Sequence, residues 1–129
     1  MDLPIADLHC DLLSYLALVP GADPYVKEQV PCAIPWLEEG GVKMQVMAIY
    51  TNVDDASMKI ATRQAEIFGK LLQNQELTLT TFNQEYISNL DKESCIGIIA
   101  SVENAAGFGT ENATWDEIYA QFDSIIEKV

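Results

Sequence analysis

The run 5–13 (IADLHCDLL) constrains this chain more than any other part of it. Its apolar residues predict a buried strand. Side chains alternate along a strand, so Asp7, His9 and Asp11 share one face with Ile5, and Leu8, Cys10 and Leu12 point to the other. Three ionisable groups on one face of an otherwise apolar strand are costly unless something binds them. A divalent metal meets that need. His9 offers an imidazole nitrogen and Asp11 a carboxylate oxygen, both good zinc ligands. For His9 alone, an ordinary hydrogen-bonded histidine is the competing reading, because an Asp-x-His-x-Asp match also arises by chance.

The rest of the chain alternates strands with helices. The segment 12–19 is apolar and begins a helix or loop, which Pro20, Gly21 and Pro24 break. Pro31 and Pro35 bracket an irregular stretch, and a short helical turn around 36–39 ends at Gly40 and Gly41. The run 42–51 (VKMQVMAIYT) is apolar enough for a strand covered on both faces. Asp54 or Asp55 is expected to cap a helix reaching about residue 73, with Ile60, Ala61, Ile67, Phe68, Leu71 and Leu72 on its core face. The segment 77–82 is short and β-prone, and Asn83 can cap a helix running to about residue 90. A third strong strand, 96–102 (IGIIASV), ends on Glu103, with Gly107 and Gly109 in the loop beyond. Thr114 and Glu117 have the spacing of a capping box opening a last helix, whose apolar face would be Ile118, Phe122, Ile125 and Ile126. This order predicts an α/β fold of βαβ units with a parallel sheet and right-handed crossovers.

Composition narrows the partners. The chain has 129 residues, enough for one domain with a core, and 49% of them are hydrophobic, which argues against disorder. Its 20 acidic and 7 basic residues leave a net charge of −13, which disfavours nucleic acid and anionic membrane as partners. Three cysteines, Cys10, Cys32 and Cys95, show no CxxC spacing and no disulfide framework, so a reducing compartment, the cytoplasm, is expected. The N-terminal stretch has no basic region and is interrupted by acids, unlike a secretory signal, and no segment is long and apolar enough to span a membrane. Asn112 matches a glycosylation acceptor but reads as the approach to the last helix.

Three segments taken together resemble a known family. They are DLHCD at 7–11, GGVKMQ at 40–45 running on through 51, and IGIIASVE at 96–103. They occur in the order seen in the membrane (renal) dipeptidase family, zinc peptidases among the amidohydrolase-like barrels. The resemblance covers nearly the whole chain and implies that 1–129 is a single partial domain, the N-terminal segment of a (β/α)8 TIM barrel of the metal-dependent hydrolase type. It implies that His9 and Asp11 bind one zinc, that Glu103 bridges two zincs and serves catalysis, and that Asp7 supports the site without ligating. The implied activity is hydrolysis of dipeptides, often with a D-residue at the C-terminal position, through a metal-bound hydroxide. Part of this agrees with barrel physics: catalytic residues sit at the C-terminal ends of barrel strands, and two metals about 3.5–4 Å apart can share a hydroxide and polarise a carbonyl. Zinc itself rests on the family, since His plus carboxylates also suits manganese or cobalt.

A (β/α)8 barrel typically takes about 250 residues. The family's later zinc-binding histidines, its substrate-binding His and Arg and its late catalytic Asp would fall beyond Val129, and His9 is the one histidine of these 129 residues. The expectation is an N-terminal fragment inactive alone, whose partner is the rest of the barrel, or which self-associates through open sheet edges. Two other readings compete: a related amidohydrolase-type barrel acting on a different amide or ester, and a non-catalytic barrel fragment.

Overall fold

The structure, a computed structural model, describes residues 3–74, 79–90, 92 and 94–129. Four strands form one all-parallel sheet: β1 (Ile5–Cys10), β2 (Val42–Ile49), β3 (Leu79–Thr81) and β4 (Ile96–Val102), in the order β1-β2-β4-β3. The helices are α1 (Leu12–Leu18), α2 (Ile34–Glu39), α3 (Ser57–Gln73), α4 (Gln84–Ser88) and α5 (Trp115–Ile126), with a 3-10 turn at Ala105–Gly107. The predicted α/β class and parallel sheet are therefore present. The β-prone stretch 77–82 contributes β3, with residues 77 and 78 outside the described part. Among the described residues β3 pairs with the first half of β4, at Ile96, Gly97 and Ile98.

Sheet register and alternation decide which residues make the core. Met47 and Ile49 of β2 are paired with Ala100 and Val102 of β4, and this face packs on Phe68 of α3 and Leu12 and Leu13 of α1. Phe68, Leu12, Leu13, Met47, Ile49 and Ile98 are all fully buried. The opposite face is less evenly covered: Val42, Ala48 and Gly97 are buried, Met44, Val46 and Ile99 are half-buried, and Ser101 is exposed. No residue of the central strand β2 is exposed, in keeping with the expected strand covered on both faces, although the helix-packed face is the more completely buried. β1 departs from expectation, since Ile5 is 47% and Leu8 70% exposed, and only Cys10 is buried. It is an edge strand with β2 as its one neighbour in the sheet.

Local chemistry explains most element boundaries. α2 ends in Gly40, whose N–H bonds the Trp36 carbonyl, and Gly41 then turns the chain into β2 at φ +73°, a conformation cheap only for glycine. Asn83 caps α4 by accepting the Tyr86 N–H at 2.9 Å, and α4 ends at Ser88, short of the expected residue 90. The cap of α3 differs from expectation. Neither Asp54 nor Asp55 occupies the cap position, which is Ala56. Asp54 folds its carboxylate onto the Ala56 N–H instead, and the buried Ser57 hydroxyl donates to the Asn52 and Asp54 carbonyls. On α5 the Thr114–Glu117 capping box is present, but the packed face is Gln121 and Ile125. Gln121 donates to the Met58 and Gly107 carbonyls at 2.9 and 3.0 Å, which turns that face of the helix inward. Phe122 and Ile126 consequently remain exposed, with Phe122 against the Phe108 ring at 5.4 Å.

One buried amide joins three elements. Gln64 of α3 donates to the Tyr50 carbonyl at 2.6 Å and accepts the Tyr50 N–H at 3.0 Å, and Ser14 of α1 donates to the same oxygen at 3.2 Å. Tyr50 is the first residue beyond β2, where its backbone groups leave the sheet. Gln64→Leu would leave both part-buried groups without this partner, at roughly 1–3 kcal/mol each. The expected result in urea unfolding is a loss of about 3 kcal/mol.

Glu117 yields a second prediction. Its carboxylate accepts the Thr114 N–H at 2.7 Å and the Thr114 hydroxyl at 2.8 Å, and these bonds hold its pKa below the usual carboxylate value. A lowered folded-state pKa stabilises the fold above the unfolded value, and the contribution is lost as pH falls through the folded one. Glu117→Gln should therefore melt lower than the parent at neutral pH, and the two melting curves should converge in acid.

Candidate metal centre

Both strands that flank β2 end at ionisable residues. His9 is the penultimate residue of β1, and Asp11 follows the strand directly as the N-cap residue of α1. An aspartate there ordinarily spends its carboxylate on the helix N–H groups. Asp11 makes no such side-chain bond, so its carboxylate is available for something else. Glu103 is the first residue past β4, and its N–H donates to the Ile49 carbonyl at 3.1 Å, carrying the ladder one step beyond the strand. Asn104 then locks the turn. It donates to the Thr51 carbonyl at 2.7 Å while its side-chain oxygen accepts the Ala106 N–H at 3.0 Å.

These placements bring His9, Asp11 and Glu103 together, although more than ninety positions separate the last from the first two. One ligand atom from each lies within 4.8 Å of the others, and all three residues are exposed. His9 Nε2 is 3.4 Å from Asp11 Oδ1. Two ligands bound at about 2.1 Å can stand at most about 4.2 Å apart on one ion. The His9–Asp11 spacing already meets that limit, and the full cluster is within a fraction of an ångström of it. One imidazole and two carboxylates also form a donor set that zinc, manganese and cobalt accept. Chemistry and spacing therefore both fit a divalent cation.

Asp7 stands apart from the cluster. The β1–β2 register slips by one residue between Asp7 and Cys10, so the two-residue alternation expected from Asp7 through Asp11 is broken. Asp7 pairs with Gln45, and its carboxylate turns back to accept the His9 N–H at 3.0 Å. That bond orients the backbone carrying His9. Sequence reasoning did not single out Asn104 and Thr51. An Asn directly after a strand-terminal Glu is their one local signal.

Behind the cluster Cys10 is buried, and Cys32, just ahead of α2, is half-buried against the same core. A cleft of about 940 Å³ lies elsewhere, lined by Leu16, Tyr25, Arg63 and Leu71 among others, and includes none of the three cluster residues. No protein-family model matches the chain, and no curated protein matches it significantly. No helix among the described residues is long and apolar enough to cross a membrane.

Asn104→Ala tests whether the strand-end lock positions Glu103. It removes the bond to Thr51 and the cap on Ala106, with an expected cost of about 1–2 kcal/mol. The affinity of the cluster for an added divalent cation, probed by calorimetry, should fall with it, while the sheet signal in circular dichroism stays.

Proposed function

We propose that this chain is the N-terminal part of a zinc-dependent dipeptidase of (β/α)8 barrel type, contributing part of a two-metal site. The carrying observation is the convergence of His9, Asp11 and Glu103 at the C-terminal ends of parallel strands. That is the edge on which barrel enzymes build their active sites. On this reading β1, β2 and β4 are the first three barrel strands, and β3 is a short addition on the outer edge of β4.

Each residue has a separate task. His9 and Asp11, two positions apart at the end of β1, hold one ion between them, and Asp7 fixes the His9 backbone. Glu103 stands across β2 from that pair and is the carboxylate able to bridge to a second ion. Zinc, when bound, supplies the Lewis acidity that makes a nucleophilic hydroxide available near neutral pH and polarises the scissile carbonyl. The chain's own residues hold and orient. The 129 residues contain no second histidine to complete the second metal position, so the substrate-cleaving assembly needs residues from outside this segment. The dipeptide substrate and the cytoplasmic setting belong to the same proposal.

The test is a zinc titration of the purified 129-residue chain together with a dipeptide assay. Zinc binding that His9→Ala abolishes, with no turnover of Gly-D-Ala, is the expected pair of results. Zinc binding that survives His9→Ala places the metal elsewhere. Turnover by the chain alone contradicts the fragment reading.

A further inference from the structure

The cleft of about 940 Å³ is lined by α3, by α1 and α2, and by the segment that joins those two. Its volume is in the range of small-molecule sites. Leu16 of α1, half-buried, and Ile67 and Leu71 of α3, both buried, give it an apolar surface.

Opposite charges reach it from different elements. Arg63 and Lys70 come from α3, seven positions and so about two turns apart, which puts them on one face with Ile67 and Leu71. Asp23 comes from the joining segment and Glu38 from α2. No ion pair links the two sets among the described residues. Arg63 pairs within its own helix, with Glu66 at 3.8 Å, and neither Lys70 nor Glu38 has an ion-pair partner. Asp23 accepts the Tyr25 N–H at 2.9 Å with one carboxylate oxygen. Tyr25 also lines the cleft, and its hydroxyl is sealed from solvent with no hydrogen-bond partner among the described residues. Burial, with Asp23 and Glu38 nearby, pushes its pKa up to about 12, so the group stays protonated and able to donate. A buried polar group without a partner calls for an explanation. An acceptor brought in by a ligand supplies one.

We propose that this cleft binds short apolar peptides with both termini free. The peptide carboxylate meets Arg63 and Lys70, its ammonium meets Glu38 and Asp23, and its side chain covers Leu16, Ile67 and Leu71. A peptide carbonyl accepts from the Tyr25 hydroxyl. A simple anion would approach a chain of net charge −13 and leave both acids unmet. A simple cation would be set beside Arg63 and Lys70. A zwitterion carries no net charge and complements both sets. None of the cluster residues lines the cleft, so the proposal does not rest on the metal reading.

The experiment is a calorimetric titration of the full 129-residue chain with the tripeptide Ala-Leu-Ala, in the presence of a chelator so that no cation occupies the cluster. Saturable binding is expected. Acetylating the peptide N-terminus or amidating its C-terminus should each weaken it roughly tenfold or more, the scale of a lost charged hydrogen bond. Glu38→Gln and Lys70→Gln, both at exposed side chains, should weaken the free peptide by a similar factor, and Tyr25→Phe by about fivefold, the scale of a neutral one. His9→Ala should leave its affinity unchanged. Should a variant fail to fold, the blocked peptides test the same contacts on the unaltered chain. Absence of saturable binding at millimolar peptide overturns the proposal. So does a blocked peptide that binds as tightly as the free one, which marks a site for a single charge. Binding that His9→Ala abolishes, while Glu38→Gln and Lys70→Gln leave it intact, also overturns it and places the peptide at the cluster. Undiminished affinity in Tyr25→Phe overturns the role of the hydroxyl.

Discussion

The buried carboxamide of Gln64 is the interaction on which the rest of the arrangement depends. β2 is the central strand, and at its end the two part-buried backbone groups of Tyr50 leave the ladder and need another partner. Gln64 satisfies both and also takes the Ser14 hydroxyl. The first helix, the second strand and the long helix are thereby registered at one point. A hydrophobic contact could bring the same elements close, but it is non-directional and would not set their relative position along the strand. The Glu103 N–H bonds the Ile49 carbonyl, and Asn104 bonds Thr51, so the register of the cluster is inherited from this end of β2.

The cluster is held by backbone geometry more than by side-chain packing. His9, Asp11 and Glu103 are exposed, and His9 Nε2 stands 3.4 Å from Asp11 Oδ1. A solvent-exposed pair of this kind contributes little to stability, about 0–1 kcal/mol. What orders the site is one step further back: Asp7 on the His9 N–H, the Asn104 amide on Thr51, and the ladder bond at Glu103. Such a division leaves ligand side chains free to close on a cation while the strands beneath keep their places.

Much of this fold could be read from the chain because several signals depend only on neighbours. Mostly apolar runs marked β2 and β4, and Asn83 and the Thr114–Glu117 spacing marked two helix starts. Longer-range effects were not legible. Gln64 and Gln121 sit on faces whose neighbours are apolar, and their partners are carbonyls and hydroxyls 14 to 63 residues away. No pattern in a window predicts those bonds. The slip in β1 is equally hidden: alternation in the sequence is regular, and the pairing with β2 breaks it. The phase of α5 was set by Gln121, a polar residue that a hydrophobic count assigns to water. For the cluster, the strand-terminal position of Glu103 was visible, but the turn that secures it depends on Thr51, in another strand's exit.

Ala48 carries a different kind of constraint. It lies on β2, opposite Ser101 of β4, and is 2% exposed although Met44 and Val46 on the same side of the strand are only half-buried. Neighbouring strands run about 4.8 Å apart, so β1 and β4 stand on the order of twice that distance from each other, and side chains from their ends must meet above β2. A single methyl is already fully enclosed at this position, so a larger side chain would have to displace its neighbours in the middle of the sheet. The central strand is thus constrained partly by an omission of volume, a requirement with no charge, motif or hydrogen bond to announce it.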